Sequence, residues 1–154
     1  MSRFAPNGRP VYRFVGGEMP KPSDVILSAL PKLEAADVRL LWVNDWYDGP
    51  LEAVVERAGE RLLMVLHAMP THRGDDSAWQ WLLYPLTPAQ WAEEDRWHRL
   101  FEEHVGHHWC FHHDPMPEPE SRDPERFYGP YKSRPPLDLA SNVPVAWLDQ
   151  MPAK

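Results

Sequence analysis

Eighteen prolines in 154 residues limit what this chain can build more than any other feature, because each ring fixes φ and removes a backbone donor. Nine of them, Pro115, Pro117, Pro119, Pro124, Pro130, Pro135, Pro136, Pro144 and Pro152, lie beyond Asp114. Four more, Pro6, Pro10, Pro20 and Pro22, fall in the first 23 residues beside Gly16 and Gly17. The sequence therefore predicts an extended N-terminal arm over 1–23, a folded core over 24–113 and a proline-rich C-terminal arm over 114–154 in which regular structure is disfavoured. The C-terminal arm also carries Phe127, Tyr128, Tyr131, Leu137, Leu139, Val145, Trp147 and Leu148. That is too apolar for a solvating tail, so the arm is expected to dock, with "VPVAWLD" as an extended anchor.

Between the arms the hydrophobic periods are readable. Ser23 precedes "DVILSAL", whose Val25, Ile26, Ala29 and Leu30 follow helical spacing until Pro31 stops the turn. "VRLLWVND" from Val38 reads as a strand ending at the turn residues of "DWYDGP". "LEAVVER" and "RLLMVLHA" flank Ala58, Gly59 and Glu60, the spacing of a β-hairpin. "WQWLLYPL" is apolar at successive positions, as in a strand covered on both faces. Thr87, Pro88 and Gln90 then form an N-cap, a first-turn proline and a capping-box partner. The helix they start runs to about Val105, with Trp97, Leu100, Phe101 and Val105 on one face and Gly106 as terminator. Asp95 with Arg99 and Arg99 with Glu103 are spaced to pair on the other face.

These elements predict an α+β fold. It is a single domain with a mainly antiparallel four- or five-stranded sheet packed by one long helix and bordered by the two arms. A chain of 154 residues is long enough for one core.

Charge and cysteine content narrow the function classes. A formal charge of -7 repels phosphate backbones and anionic membrane surfaces and favours a basic protein partner. The single cysteine, Cys110, excludes an intramolecular disulfide and suits a reducing compartment, so a cytoplasmic location is expected. No apolar run approaches the length of a membrane span, and no secretion signal is apparent at the start of the sequence.

Three constellations could carry chemistry. "HVGHHWCFHHDP" places His108, Cys110 and His112 on one face if it continues as a strand, a set of imidazole and thiolate donors suited to zinc. Three alternating donors lack a visible fourth ligand, and histidines at the solvated edge of a strand anchored by Trp109 and Phe111 account for the pattern. No metal or cofactor is therefore assigned. Glu94 and His98, four apart on the helix, could pair for acid–base work, but no nucleophile motif accompanies them and no catalytic residue is assigned. "NDWYDGPL" gathers Asn44, Asp45 and Asp48 beside Trp46 and Tyr47, where turn formation competes with ligand recognition.

Eight tryptophans supply either core or contact surface. Periodicity puts Trp42, Trp81 and Trp97 in the core. Trp46, Trp91 and Trp147, at a turn, a helix margin and an irregular arm, are the interface candidates. The function expected from the sequence is a cytoplasmic protein-binding or inhibitor module, of the immunity type that masks a toxin or enzyme. Its binding residues are Asp45, Trp46, Tyr47, Asp48, Trp91 and Trp147. The alternatives are a small zinc-dependent hydrolase using His108, Cys110 and His112 with Asp45 or Asp48, and a protein with an aromatic-lined small-ligand pocket.

Overall fold

The computed structural model describes residues 27–46, 50–68, 79–106 and 123–154. They fall into two compact units, one up to Leu86 and again from Asp138, the other Thr87–Leu137. Each unit thus draws on both of the ranges 24–113 and 114–154, and the N-terminal arm lies outside the described residues.

The first unit is a five-stranded antiparallel sheet in the order β1-β2-β3-β4-β5. Its strands are β1 (Arg39–Trp46), β2 (Pro50–Arg57), β3 (Glu60–Ala68), β4 (Gln80–Tyr84) and β5 (Ala146–Leu148). With the helices of the second unit this makes the α+β class read from the sequence. Successive buried residues run through β2 (Ala53, Val54, Val55), β3 (Leu62, Leu63, Met64) and β4 (Trp81 to Tyr84). Side chains alternate across a strand, so both faces of these inner strands are covered, which explains their unbroken apolar sequence. Trp81 of β4 donates its indole N–H to the Pro50 carbonyl, two strands away, at 2.7 Å.

The β2–β3 hairpin pairs Arg57 with Glu60, leaving Ala58 and Gly59 as a two-residue loop. Both have positive φ, 50° and 81°. That is the backbone of a type I′ turn, whose twist matches the flanking strands and whose first position favours Asn, Asp or Gly. Alanine there carries the Cβ clash of the left-handed region. Ala58→Asn should therefore stabilise the protein by about 0.5–1 kcal/mol, read as a higher urea midpoint with an unchanged slope. A lower midpoint would show that the loop does not keep this geometry in solution.

The edges of the sheet are tied by the chain itself. Trp147 donates its amide to the Pro31 carbonyl at 3.1 Å and accepts from the Leu33 amide at 2.9 Å, so residues 31–33 run parallel to β5. That segment passes through a 3-10 turn at Ala35–Asp37 into β1, where the Leu40 amide donates to the Ala153 carbonyl at 2.8 Å. Of the short helix read at "DVILSAL", the described part is a 3-10 turn, Leu27–Ala29, which ends ahead of Pro31; Val25 and Ile26 lie outside the described residues.

The second unit holds α1 (Pro88–His104) and α2 (Glu125–Tyr131). Thr87 caps α1 as read: its hydroxyl accepts from the Gln90 amide at 3.2 Å, and the Gln90 side chain accepts from the Thr87 amide at 2.9 Å. Thr87→Ala should lower stability by about 1 kcal/mol, and equal thermal midpoints would refute the cap. At the other end the Val105 and Gly106 amides both donate to the Phe101 carbonyl, with Gly106 at φ 93°. Arg99 turns its Nε to the Asp95 carbonyl at 3.3 Å, whereas Arg96 takes up a carboxylate, that of Glu93.

Two elements contradict the expectation that the proline-rich region lacks regular structure. β5 is the docked form of "VPVAWLD". α2 forms although Pro130 sits inside it, because in seven residues the missing donor falls in the last turn and costs one bond. Asp123 helps start it, its Oδ1 accepting from the Glu125 amide at 3.2 Å. The second unit is built on aromatic rings: Trp97 and Phe101 of α1 meet Phe127 edge-on at 6.1 and 5.3 Å, and Phe127 stacks on Tyr131 at 4.8 Å. Leu100, Val105 and Tyr128 complete the cluster.

Candidate functional site

Exposed apolar side chains are the first guide to a contact surface, since a folded chain rarely leaves several together without use. Among the described residues the exposed large hydrophobics are Val143, Val145 and Met151, 72%, 45% and 43% accessible. All three lie within one short stretch around β5. Strand alternation explains how the sequence places them: Ala146 and Leu148 point inward and are buried, which turns Val145 and Trp147 to the other face. Trp147, an interface candidate, is half-buried there. The Lys32 ammonium lies 5.6 Å from its ring centroid and 2.6 Å from Asp149 Oδ2. The hydrogen bond to Asp149 holds Lys32 above its ordinary pKa. An extended stretch with an indole, two valines and an ion pair can grip an extended peptide or a flat protein face.

The other candidates separate. Asn44 is consumed locally: its side-chain amide donates to Glu52 Oε1 at 2.8 Å, and its Oδ1 accepts from the Trp42 indole at 3.0 Å. Trp42 is accordingly half-buried rather than core, whereas Trp81 and Trp97 are buried as read. Asp45 is half-buried on β1 with Glu52 as its cross-strand partner. The Trp46 backbone pairs with Pro50 at the strand's end. Tyr47 and Asp48 lie outside the described residues, as does the turn they were read to form. Trp91 is half-buried on α1, in the other unit from Trp147. The binding set therefore does not assemble as one site within a unit; Trp147 has exposed apolar neighbours in sequence.

His108, Cys110 and His112, with the rest of the histidine run from His107 to His113, lie outside the described residues. Among the described residues no group of three or more His, Cys, Asp or Glu side chains is arranged to hold a metal ion, and no helix is long and apolar enough to cross a membrane.

On α1, His98 Nε2 lies 3.3 Å from Glu102 Oε1. Burial pushes the imidazole below its ordinary pKa, against the pull of the Glu102 and Asp95 carboxylates. Glu94 is engaged elsewhere, accepting a hydrogen bond from the Arg134 guanidinium, with both side chains buried. Arg134 also lies 5.6 Å from the Trp97 ring and 5.7 Å from that of Tyr131. Next to it Glu93 accepts from Arg96 at 2.9 and 3.2 Å and from the Trp97 indole at 2.7 Å. The Arg96 hydrogen bond, ahead of the other contacts, holds the Glu93 carboxyl below its usual range. These charges neutralise one another around a packed indole, so the aromatic cluster is a small core.

Sequence reasoning missed Val143, Val145 and Met151 as exposed apolar residues and Arg134 as the partner of Glu94. "NVPVAWLD" is apolar at odd and even positions alike, whereas β5 buries Ala146 and Leu148 on one face, so its flanking valines stay at the surface. The partnership of residues 94 and 134 has no local signal.

Comparison of the chain with protein-family models, curated proteins and solved structures gave no significant match.

Proposed function

We propose that this chain is a protein-binding module of the masking, inhibitor kind, and that its contact surface is the stretch Val143 to Met151. The supporting observation is the confinement of the exposed large hydrophobics of the described residues to that stretch, around the half-buried Trp147. The formal charge of -7 makes a basic partner the one attracted over distance and nucleic acid the one repelled. A cytoplasmic setting belongs to the same proposal and rests on the lone cysteine.

Replacing Val143 and Val145 by aspartate places two charges in the surface without touching the buried side of β5. Immobilised wild-type and Val143→Asp/Val145→Asp chains, matched for thermal midpoint, should differ in capture from the cells that make them. A protein held by the wild type should be retained at least about ten-fold less by the variant, the effect of roughly 1.4 kcal/mol at the centre of an interface. Identical captures would remove this stretch from the binding surface.

A further inference from the structure

Buried hydroxyls are as a rule hydrogen-bonded, because one without a partner has given up its water contacts for nothing. Tyr84, the last residue of β4, departs from that rule. It is 5% exposed, and among the described residues no hydrogen bond reaches its hydroxyl. Burial alone holds the phenol above its ordinary pKa, with no hydrogen bond contributing, so the group stays a neutral donor. Phenylalanine would supply the same ring without that cost, and a polar atom kept at the expense of stability marks a contact made outside the fold. The strand register locates it. Tyr84 pairs with Leu63 of β3, and Leu82, on the same face of β4, pairs with Trp147 of β5. Leu83, on the opposite face, pairs with the buried Ala146 and accepts from the Val145 amide at 2.9 Å. One step further the Asn142 side chain donates to the Pro85 carbonyl at 3.0 Å, which fixes the chain around Val143 alongside the end of β4. Tyr84 therefore shares its face with Trp147 and adjoins the exposed Val143 and Val145.

We propose that Tyr84 is the polar anchor of the Val143–Met151 surface, its hydroxyl donating to a main-chain carbonyl of an extended segment that docks there. This assignment rests on the contact surface proposed above. An extended segment laid against valines and an indole brings carbonyls that must keep a donor once water is excluded, and a neutral phenol among apolar side chains supplies one. The acceptor is an uncharged carbonyl, because a chain of formal charge -7 disfavours a carboxylate at its surface. A partner without an acceptor at that point leaves the hydroxyl unpaired and is discriminated against.

Tyr84→Phe in the full chain separates an anchor from a structural residue. Its urea midpoint should equal or exceed that of the wild type, since the ring without its hydroxyl loses no internal bond. The binding probe is a random-sequence peptide library displayed on phage and selected on the immobilised wild-type chain. Peptides are kept that bind Val143→Asp/Val145→Asp at least about ten-fold less tightly. These should bind Tyr84→Phe at least about three-fold less tightly, the scale of one lost hydrogen bond. Replacing their amides one at a time by esters, whose carbonyls accept more weakly, should find one position that weakens binding to the wild type and leaves binding to Tyr84→Phe unchanged. A lower urea midpoint for Tyr84→Phe would overturn the proposal, because the hydroxyl would then be bonded within the fold. Equal affinity of the peptides for Tyr84→Phe and wild type, or the same ester profile on both, would overturn it too while leaving the contact surface standing. A selection that yields no peptide dependent on Val143 and Val145 sinks the contact surface, and the anchor with it.

Discussion

Replacing Arg134 by methionine is expected to destabilise the helical unit by about 3–5 kcal/mol, the cost of leaving a buried carboxylate without its partner. Glu94 and Arg134 are 0% and 3% exposed at their side chains, so water cannot take over either charge. The guanidinium also lies near the faces of Trp97 and Tyr131, and its loss removes packing from both rings. The double replacement Glu94→Leu/Arg134→Met should recover most of the loss, because two apolar side chains of similar length bury at no ionic cost. Urea unfolding followed by the helix signal measures all four proteins of the cycle. A loss below about 1 kcal/mol for Arg134→Met would mean that the pair is solvated in solution and does not lock α2 to α1.

Leu148→Ala should cost about 3 kcal/mol, within the roughly 2–5 kcal/mol range for truncating a buried leucine. Leu148 is fully buried and pairs with Trp81 across the β4–β5 ladder. β5 has only three residues, so a cavity there also loosens the ties it makes to residues 31–33. Hydrogen exchange should show the Trp147 and Leu33 amides opening more readily in the mutant while β2–β3 amides keep their protection. Equal protection of Trp147 in both proteins would show that backbone pairing holds β5 without this side chain.

The elements that were legible in the sequence have their causes close together along it. Thr87, Pro88 and Gln90 specify the start of α1 within one turn, and Gly106 its end. The β2–β3 hairpin is announced by Gly59 between two apolar runs, and the doubly covered β4 by four consecutive apolar residues. Where reasoning failed, distance or proline was responsible. α2 was hidden by Pro124 and Pro130, one of which begins the helix while the other falls where a lost donor matters least. The buried ion pair joins residues 40 apart, and Glu94 looked like one more acidic residue on the rim of an amphipathic helix. Trp42 shares the apolar spacing of its strand, but its indole N–H finds Asn44 two residues on. The candidate surface was half legible: Trp147 stood out as an aromatic in an irregular arm, whereas the flanking valines needed the knowledge that β5 is a three-residue strand that buries Ala146 and Leu148.

The strands lie in the sheet in the order in which they are made, but one interval between neighbours is long. β1 to β4 follow one another along the chain, but the partner of β4 is β5, and the whole of Thr87–Leu137 is synthesised between them. A ribosome that has delivered β4 has therefore delivered an apolar strand, "QWLLY", whose outer edge waits through the making of two helices before its neighbour exists. During that interval the edge is open to pairing with the same strand of another nascent chain. Crowding of translating ribosomes on one message should thus endanger this protein more than one whose neighbouring strands are made without such an interval, and early formation of α1 does nothing to shorten the wait.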